Sequence, residues 1–248
     1  MKILAFECSA APASVAVSED GKITASSFIN VKLTHSQTLV PMAENLLKAA
    51  AMDFDSIDAL AVSNGPGSFT GVRIGISAVK GLAAPKNLPC IGVSTLLSMA
   101  YNISDTDCTV CAVMDARCNQ VYNALFDITD GKITRICSDR ALMCEELAKD
   151  LKKLSQNGNK RVIIAGDGGE VFYPYVKDTA NVSLAAEKNR FQNAASVALA
   201  AGEALSRGEY VTAEELLPVY LRLPQAEREL KKKKEGKPAG FPSHRTVT

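Results

Sequence analysis

Two tandem α/β lobes, each a mixed sheet with flanking helices, are what this sequence predicts. Three observations carry that reading. The halves repeat one order of elements, strand–hairpin–strand followed by helix, strand and helix. The turn Asp20-Gly21-Lys22-Ile23-Thr24 recurs as Asp130-Gly131-Lys132-Ile133-Thr134 in the same context. A glycine-rich strand-to-helix turn, Ser63-Asn64-Gly65-Pro66-Gly67-Ser68-Phe69-Thr70-Gly71, sits inside the first repeat.

Taken in order, Lys2–Glu7 reads as a buried strand and Ser14–Ser18 as its hairpin partner. Lys22–Ile29 is a third strand beyond the Asp-Gly turn. Thr34 and Gln37 have the spacing of a capping box, opening a helix that runs to about Met52. Ile57–Ser63 is of strand length. After the glycine turn, about Thr70–Ala84 is too long and too rich in Ala and Gly for a strand, so it is a helix that Ser68 or Thr70 can cap. Cys90–Val93 then reads as a strand and Ser94–Tyr101 as a helix. The polar stretch Asn102–Asp107 marks a boundary, dividing the chain into lobes at 1–105 and 106–226 and a charged tail at 227–248. In the second lobe Thr109–Asp115 and Gln120–Asp127 repeat the opening hairpin. A helix near Cys144–Leu154, a strand at Arg161–Ala165, the turn Gly166-Asp167-Gly168-Gly169 and a helix near Asn193–Arg207 follow.

Composition narrows the function classes. With 47% hydrophobic residues in 248, two ordinary cores can be filled. No apolar run approaches the roughly 20 residues that span a bilayer, and no signal-like h-region follows Met1, so a cytoplasmic chain without a membrane anchor is expected. Seven scattered cysteines suit a reducing compartment. Cys108 and Cys111 form one C-x-x-C inside a strand, where i and i+3 face opposite ways, so they read as separate core thiols. Seven Lys/Arg against three Glu give residues 227–248 a net +4. That leaves 21 basic and 24 acidic residues, a net −3, for the body, which argues against a large nucleic-acid footprint there.

The glycine turn points backbone N–H groups beyond the strand end, a ready anion site. Its spacing matches neither the Gly-Lys-Ser/Thr of a Walker loop nor the third glycine of a dinucleotide fingerprint, so a packing turn is the favoured reading. A helical histidine pair would need a second histidine at position 39, which is Leu39, so His35 heads no such metal site. The two helices of the first lobe carry more apolar surface than one sheet face can cover, which points to a protein partner.

The duplicated arrangement is that of the actin, Hsp70 and sugar-kinase class, which closes ATP between its lobes. Here the first loop, Glu7-Cys8-Ser9-Ala10-Ala11-Pro12-Ala13-Ser14, lacks glycine and loses a donor at Pro12, and the second places Arg117 after Asp115-Ala116. Phosphotransfer by this chain alone looks crippled. Gly166, Asp167 and Gly168 could still contact a nucleotide.

Asn64–Gly75, Ile3–Glu7 with Ser9, Asp115-Ala116-Arg117 with Val121-Tyr122, and His35-Ser36-Gln37 before Leu39–Met42 closely resemble the TsaB (YeaZ-type) family over about residues 1–223. The resemblance implies a non-catalytic subunit that pairs with the metal-bearing transferase TsaD and the ATPase TsaE. The complex places N6-threonylcarbamoyl on adenosine 37 of tRNAs that read ANN codons, with ATP or ADP possible within it. It implies a homodimer when TsaD is missing, and a partner surface on the two N-terminal helices. The residues expected there are Leu39, Met42, Ala43, Leu46, Arg73, Ile76, Val79, Leu82 and Ala83, with Leu46→Asp or Val79→Asp expected to block association and leave the fold intact. A stand-alone enzyme of the sugar-kinase class and a glycoprotease-like metallopeptidase are the alternatives, disfavoured by the first loop and by the lone helical histidine.

Overall fold

A computed structural model describes residues 1–31, 34–157 and 160–222; the expected tail at 227–248 lies outside the described residues. The first half runs β1 (Lys2–Glu7), β2 (Ala13–Glu19), β3 (Lys22–Ile29), α1 (His35–Ala49), β4 (Ala59–Gly65), α2 (Phe69–Ala83), β5 (Cys90–Ser94) and α3 (Thr95–Tyr101). The second runs β6 (Cys108–Asp115), β7 (Gln120–Thr129), β8 (Lys132–Arg135), β9 (Arg140–Met143), α4 (Cys144–Asn157), β10 (Val162–Ala165), α5 (Gly169–Phe172), β11 (Val182–Leu184) and α6 (Ala194–Ser206).

The sheets have matching strand orders, β3-β2-β1-β4-β5 and β8-β7-β6-β10-β11, with β9 added to β7. In each, the three hairpin strands are antiparallel and the last two join in parallel. The repeated Asp-Gly turns have φ of 49° and 77° at Asp20 and Gly21, and 51° and 72° at Asp130 and Gly131. Two successive left-handed residues match the twist of a tight hairpin, which is why the same dipeptide serves both.

Residue alternation divides each sheet between two cores. Leu4, Phe6, Val15 and Val17 face α1 and α2, while Ile3, Ala5 and Ala16 face α6. In the second sheet Val110, Ala112 and Phe126 face α3, while Cys111, Val113 and Leu125 face α4. Cys108 and Cys111 thus lie on opposite faces, and all seven cysteines are free thiols.

The helices that end the two halves have changed places. Leu96, Met99 and Ala100 of α3 complete the core of the second sheet, and Val197, Ala198 and Ala201 of α6 complete that of the first. Asn102 ties the exchange together: its amide donates to the Asn189 and Phe191 carbonyls at 3.1 and 2.8 Å, and its oxygen accepts from the Ser196 hydroxyl. A cut at 105 therefore does not separate the lobes, contrary to the sequence expectation. Residues 209–222 also return to the first lobe. Val211 exchanges backbone bonds with Cys90 at 2.9 Å, and Leu216 is buried in the α1–α2 core.

Two local expectations need correcting. The Thr34 side chain makes no cap bond, and the first turn of α1 is closed by Gln37 N–H to the Thr34 carbonyl at 2.9 Å. The helix ends at Ala49 rather than Met52, because Ala51 turns left-handed with φ of 52°. The Ser68 cap is as expected, its hydroxyl accepting from Gly71 N–H at 3.2 Å.

Most of the expected partner surface is the chain's own core. Leu39, Met42, Ala43, Leu46, Ile76, Val79 and Ala83 are buried against β1, β2 and β4; only Arg73 is exposed and Leu82 half-buried. Both helices carry apolar residues nearly all round, and periodicity did not reveal which stripe the sheet takes. A carboxylate at Val79, 0% exposed, would be stranded in a dry core. Val79→Asp is expected to lower unfolding free energy by about 3 kcal/mol or more in a denaturant titration. Exposed Val40→Asp should move it by less than about 0.5 kcal/mol.

Candidate functional site

A cleft of about 560 Å³ opens between the lobes where β1, β4 and β6 end. One wall is the loop after β1 (Ser9, Ala10, Ala11) together with the turn into α2. The other is Met114–Arg117 and Asp167, and Val219–Arg222 cross its mouth.

The glycine turn owes its form to packing. A Cβ on Gly67 would lie 2.6 Å from the Ser9 carbonyl oxygen, and one on Gly71 2.1 Å from that of Cys8. Ser68 N–H donates to Ser9 O at 2.7 Å and Cys8 Sγ to Gly71 O at 3.2 Å. Backbone meets backbone here, so only glycine fits. Gly65-Pro66 is a cis peptide, and Phe69 and Thr70 open α2 facing the cleft. The packing reading of this motif is the one the geometry supports.

Glu7, the last residue of β1, is fully buried. Its carboxyl accepts from Ser9 N–H at 2.6 Å and from the Ser63 hydroxyl. Burial pushes it above the ordinary carboxylate range, against the opposing pull of those bonds and of nearby His35. A carboxyl so enclosed is engaged by its own chain. Cys8 is equally withdrawn, burial pushing its thiol up to about 12. His35 spans from the first turn of α1 to the same loop, its Nε2 lying 2.9 Å from the Ala10 carbonyl.

The glycines expected to seat a nucleotide are likewise spent internally. A Cβ on Gly166 would lie 1.9 Å from Val113 O, and one on Gly168 2.6 Å from the Met114 carbonyl carbon. They let the turn after β10 close on β6, and that packing accounts for glycine at both positions. Asp167 alone of the three faces the cleft, with Gln192 Nε2 donating to it at 2.6 Å. Burial, aided by Asp115, raises it to about 6. On the same wall Arg117 closes on Asp115, with bonds of 2.7 Å from its N–H and 3.1 Å from Nη1. The β6–β7 turn holds Arg117, Cys118 and Asn119 in three successive left-handed conformations.

The segment before the tail straps the first lobe. Val219 N–H donates to Asn64 O at 2.7 Å, Tyr220 stacks on Phe69 with centroids 4.8 Å apart, and Arg222 Nη1 reaches Ala116 O across the cleft at 2.5 Å. Nothing local in the sequence pairs this segment with Asn64 or Phe69.

A second hollow, about 570 Å³, lies on the outer side of α1 and α2, lined by His35, Ser36, Leu39, Val40, Phe69, Thr70, Arg73, Ile74, Ser77 and Ala78. Val40 is 42% exposed, and no element of the described chain covers it. This outer stripe is apolar surface that α1 and α2 leave uncovered once their buried residues are set aside.

Comparison with known proteins identifies the chain's relatives. It is 32% identical over 224 residues to the tRNA threonylcarbamoyladenosine biosynthesis protein TsaB of Escherichia coli K12, covering 90% of this chain and 95% of that protein. The chain belongs to the TsaB/YeaZ family. The Bacillus subtilis member is 28% identical, with 92% and 96% covered. YeaZ from Pseudomonas aeruginosa superposes with a TM-score of 0.76 at 32% identity, over 89% of this chain and 99% of that one. A family model described as TsaD, tRNA N6-adenosine threonylcarbamoyltransferase, matches residues 29–230. A transferase of that name from Kosmotoga olearia is 29% identical over 116 residues, 41% of this chain and 35% of that one. The ethanolamine utilization protein EutJ from Carboxydothermus hydrogenoformans shares the fold at a TM-score of 0.50 and 12% identity, over 80% of this chain and 89% of that one. No helix among the described residues of this TsaB-family chain is long and apolar enough to cross a membrane.

Two variants test the cleft. Gly166→Ala, at φ of 114° and against Val113 O, should destabilise by about 3 kcal/mol or more in a denaturant titration. Because Asp167 titrates higher folded than unfolded, its stabilising share is complete below about pH 3.9 and is lost as pH rises through about 6. Asp167→Asn keeps an acceptor for Gln192. Its stability, measured by denaturation across pH 4 to 7, should show a smaller decline than the parent's.

Proposed function

We propose that this chain is the non-catalytic scaffold and activator subunit of the assembly, with TsaD and TsaE, that installs N6-threonylcarbamoyl on adenosine 37 of ANN-decoding tRNAs. The observation that carries the reading is the uncovered groove between α1 and α2. The matched TsaD family model spans 29–230 and so includes both groove helices. A TsaD-class partner presenting the equivalent helices would pair with this chain about a pseudo-twofold axis, face to like face. A second copy takes that place when TsaD is absent.

The cleft supports the same division of labour. Glu7 is held by Ser9 and Ser63, and the glycine turns close on the chain's own strands. The reading therefore gives ATP or ADP no cradle of its own here, and leaves acyl transfer and metal binding to TsaD. Contact with tRNA comes through the complex, in the cytoplasm.

Analytical ultracentrifugation of the chain with its own organism's TsaD tests the reading. The wild type should form a 1:1 unit, and Val40→Asp should weaken it at least tenfold with its fold intact, since the new carboxylate must be desolvated in the groove. Threonylcarbamoyladenosine formation by the reconstituted set should fall with it. ATP hydrolysis by the isolated chain at ordinary kinase rates would instead favour the sugar-kinase alternative.

A further inference from the structure

The groove holds one permanent charge. Arg73 of α2 lines it together with Val40 of α1 and Ile74 of α2, and no lining residue is a carboxylate. Its guanidinium carbon sits 3.8 Å from the centroid of the Phe69 ring, and its Nε donates to the Tyr220 hydroxyl at 2.8 Å. Tyr220 in turn stacks on Phe69 and is fixed by the Val219–Asn64 backbone bond. Two contacts, the Phe69 ring and the Tyr220 hydroxyl, thus hold the plane of an exposed arginine at the groove. Among the described residues its two terminal amino groups have no acceptor.

We propose that Arg73 is a preorganised receptor for a carboxylate on the docking helix of the TsaD-class partner, with Tyr220 as its positioning residue. The inference rests on the groove reading above. Arginine recognises a carboxylate through two parallel N–H···O bonds when its plane is fixed, and fixing it beforehand removes the rotamer entropy that association would otherwise lose. The apolar residues beside it supply contact area, and the arginine supplies choice. A second copy of this chain offers another Arg73 and no groove carboxylate, so the same residue favours the heteromeric pair over the homodimer by like-charge repulsion.

Dissociation constants with TsaD, measured by titration calorimetry at low and high salt, test this with Val40→Asp, Arg73→Lys and Tyr220→Phe, each first shown to be folded by circular dichroism. Arg73→Lys keeps the charge and loses the fork; it should bind at least tenfold more weakly. Tyr220→Phe removes one hydroxyl and should weaken binding severalfold in the wild type but hardly at all in the Arg73→Lys background, a non-additivity a merely structural role would not produce. Neutralising one acidic residue on the partner's equivalent helices should abolish the difference in affinity between the wild type and Arg73→Lys. If Arg73→Lys binds like wild type while Val40→Asp does not, the receptor is wrong and the groove stands. If Val40→Asp binds normally, the groove reading itself falls. Loss of tRNA affinity in Arg73→Lys with subunit affinity unchanged would mean a phosphate, not a carboxylate, and would overturn the proposal.

Discussion

The structure hangs on one close approach, that of the α2 turn to the backbone of Cys8 and Ser9. Two carbonyl oxygens occupy the space a side chain would need at Gly67 and Gly71. The contact seats the start of α2 directly on the end of β1. Phe69 and Thr70 are thereby set between cleft and groove, and Arg73 one turn further on. Buried backbone groups brought so near must find partners, and Ser68 N–H and Ser9 O find each other. The motif most suggestive of a ligand is in this chain the mortar between helix and sheet.

The same economy governs the lining of the cleft. In a two-lobed fold of this kind the strand ends and turns around the cleft are the natural place for chemistry. Here the Glu7 carboxyl at the end of β1 is desolvated and bonded to Ser9 and Ser63, and the turn after β10 folds onto β6. Outside, along α1 and α2, an apolar groove stays uncovered among the described residues.

The lobes are kept together by exchange. With α3 completing the second sheet and α6 the first, neither half can bury its sheet alone. The internal repeat was legible because hairpins announce themselves locally, through Asp-Gly turns whose φ values repeat almost degree for degree. The exchange was not, because α3 and α6 are apolar nearly all round and their sequences do not say which sheet they cover. The short β9 and β11 escaped for a similar reason: three or four residues carry too little alternation to read.

By itself the sequence determined the duplicated α/β class, the boundaries of most strands to within a few residues, a cap at Ser68 or Thr70 and the kinship carried by Asn64–Gly75. These are properties of neighbours in the chain, settled by turn chemistry, periodicity and the demands glycine alone can meet. Only the tertiary structure decided which side of α1 and α2 faces water, that Val79 is core and Val40 surface, and that the Gly166 turn spends its glycines on β6. It also brought Tyr220 from 147 residues away to hold Arg73. Those depend on what packs against what, and a helix apolar on several sides records the need for cover without naming the surface that provides it.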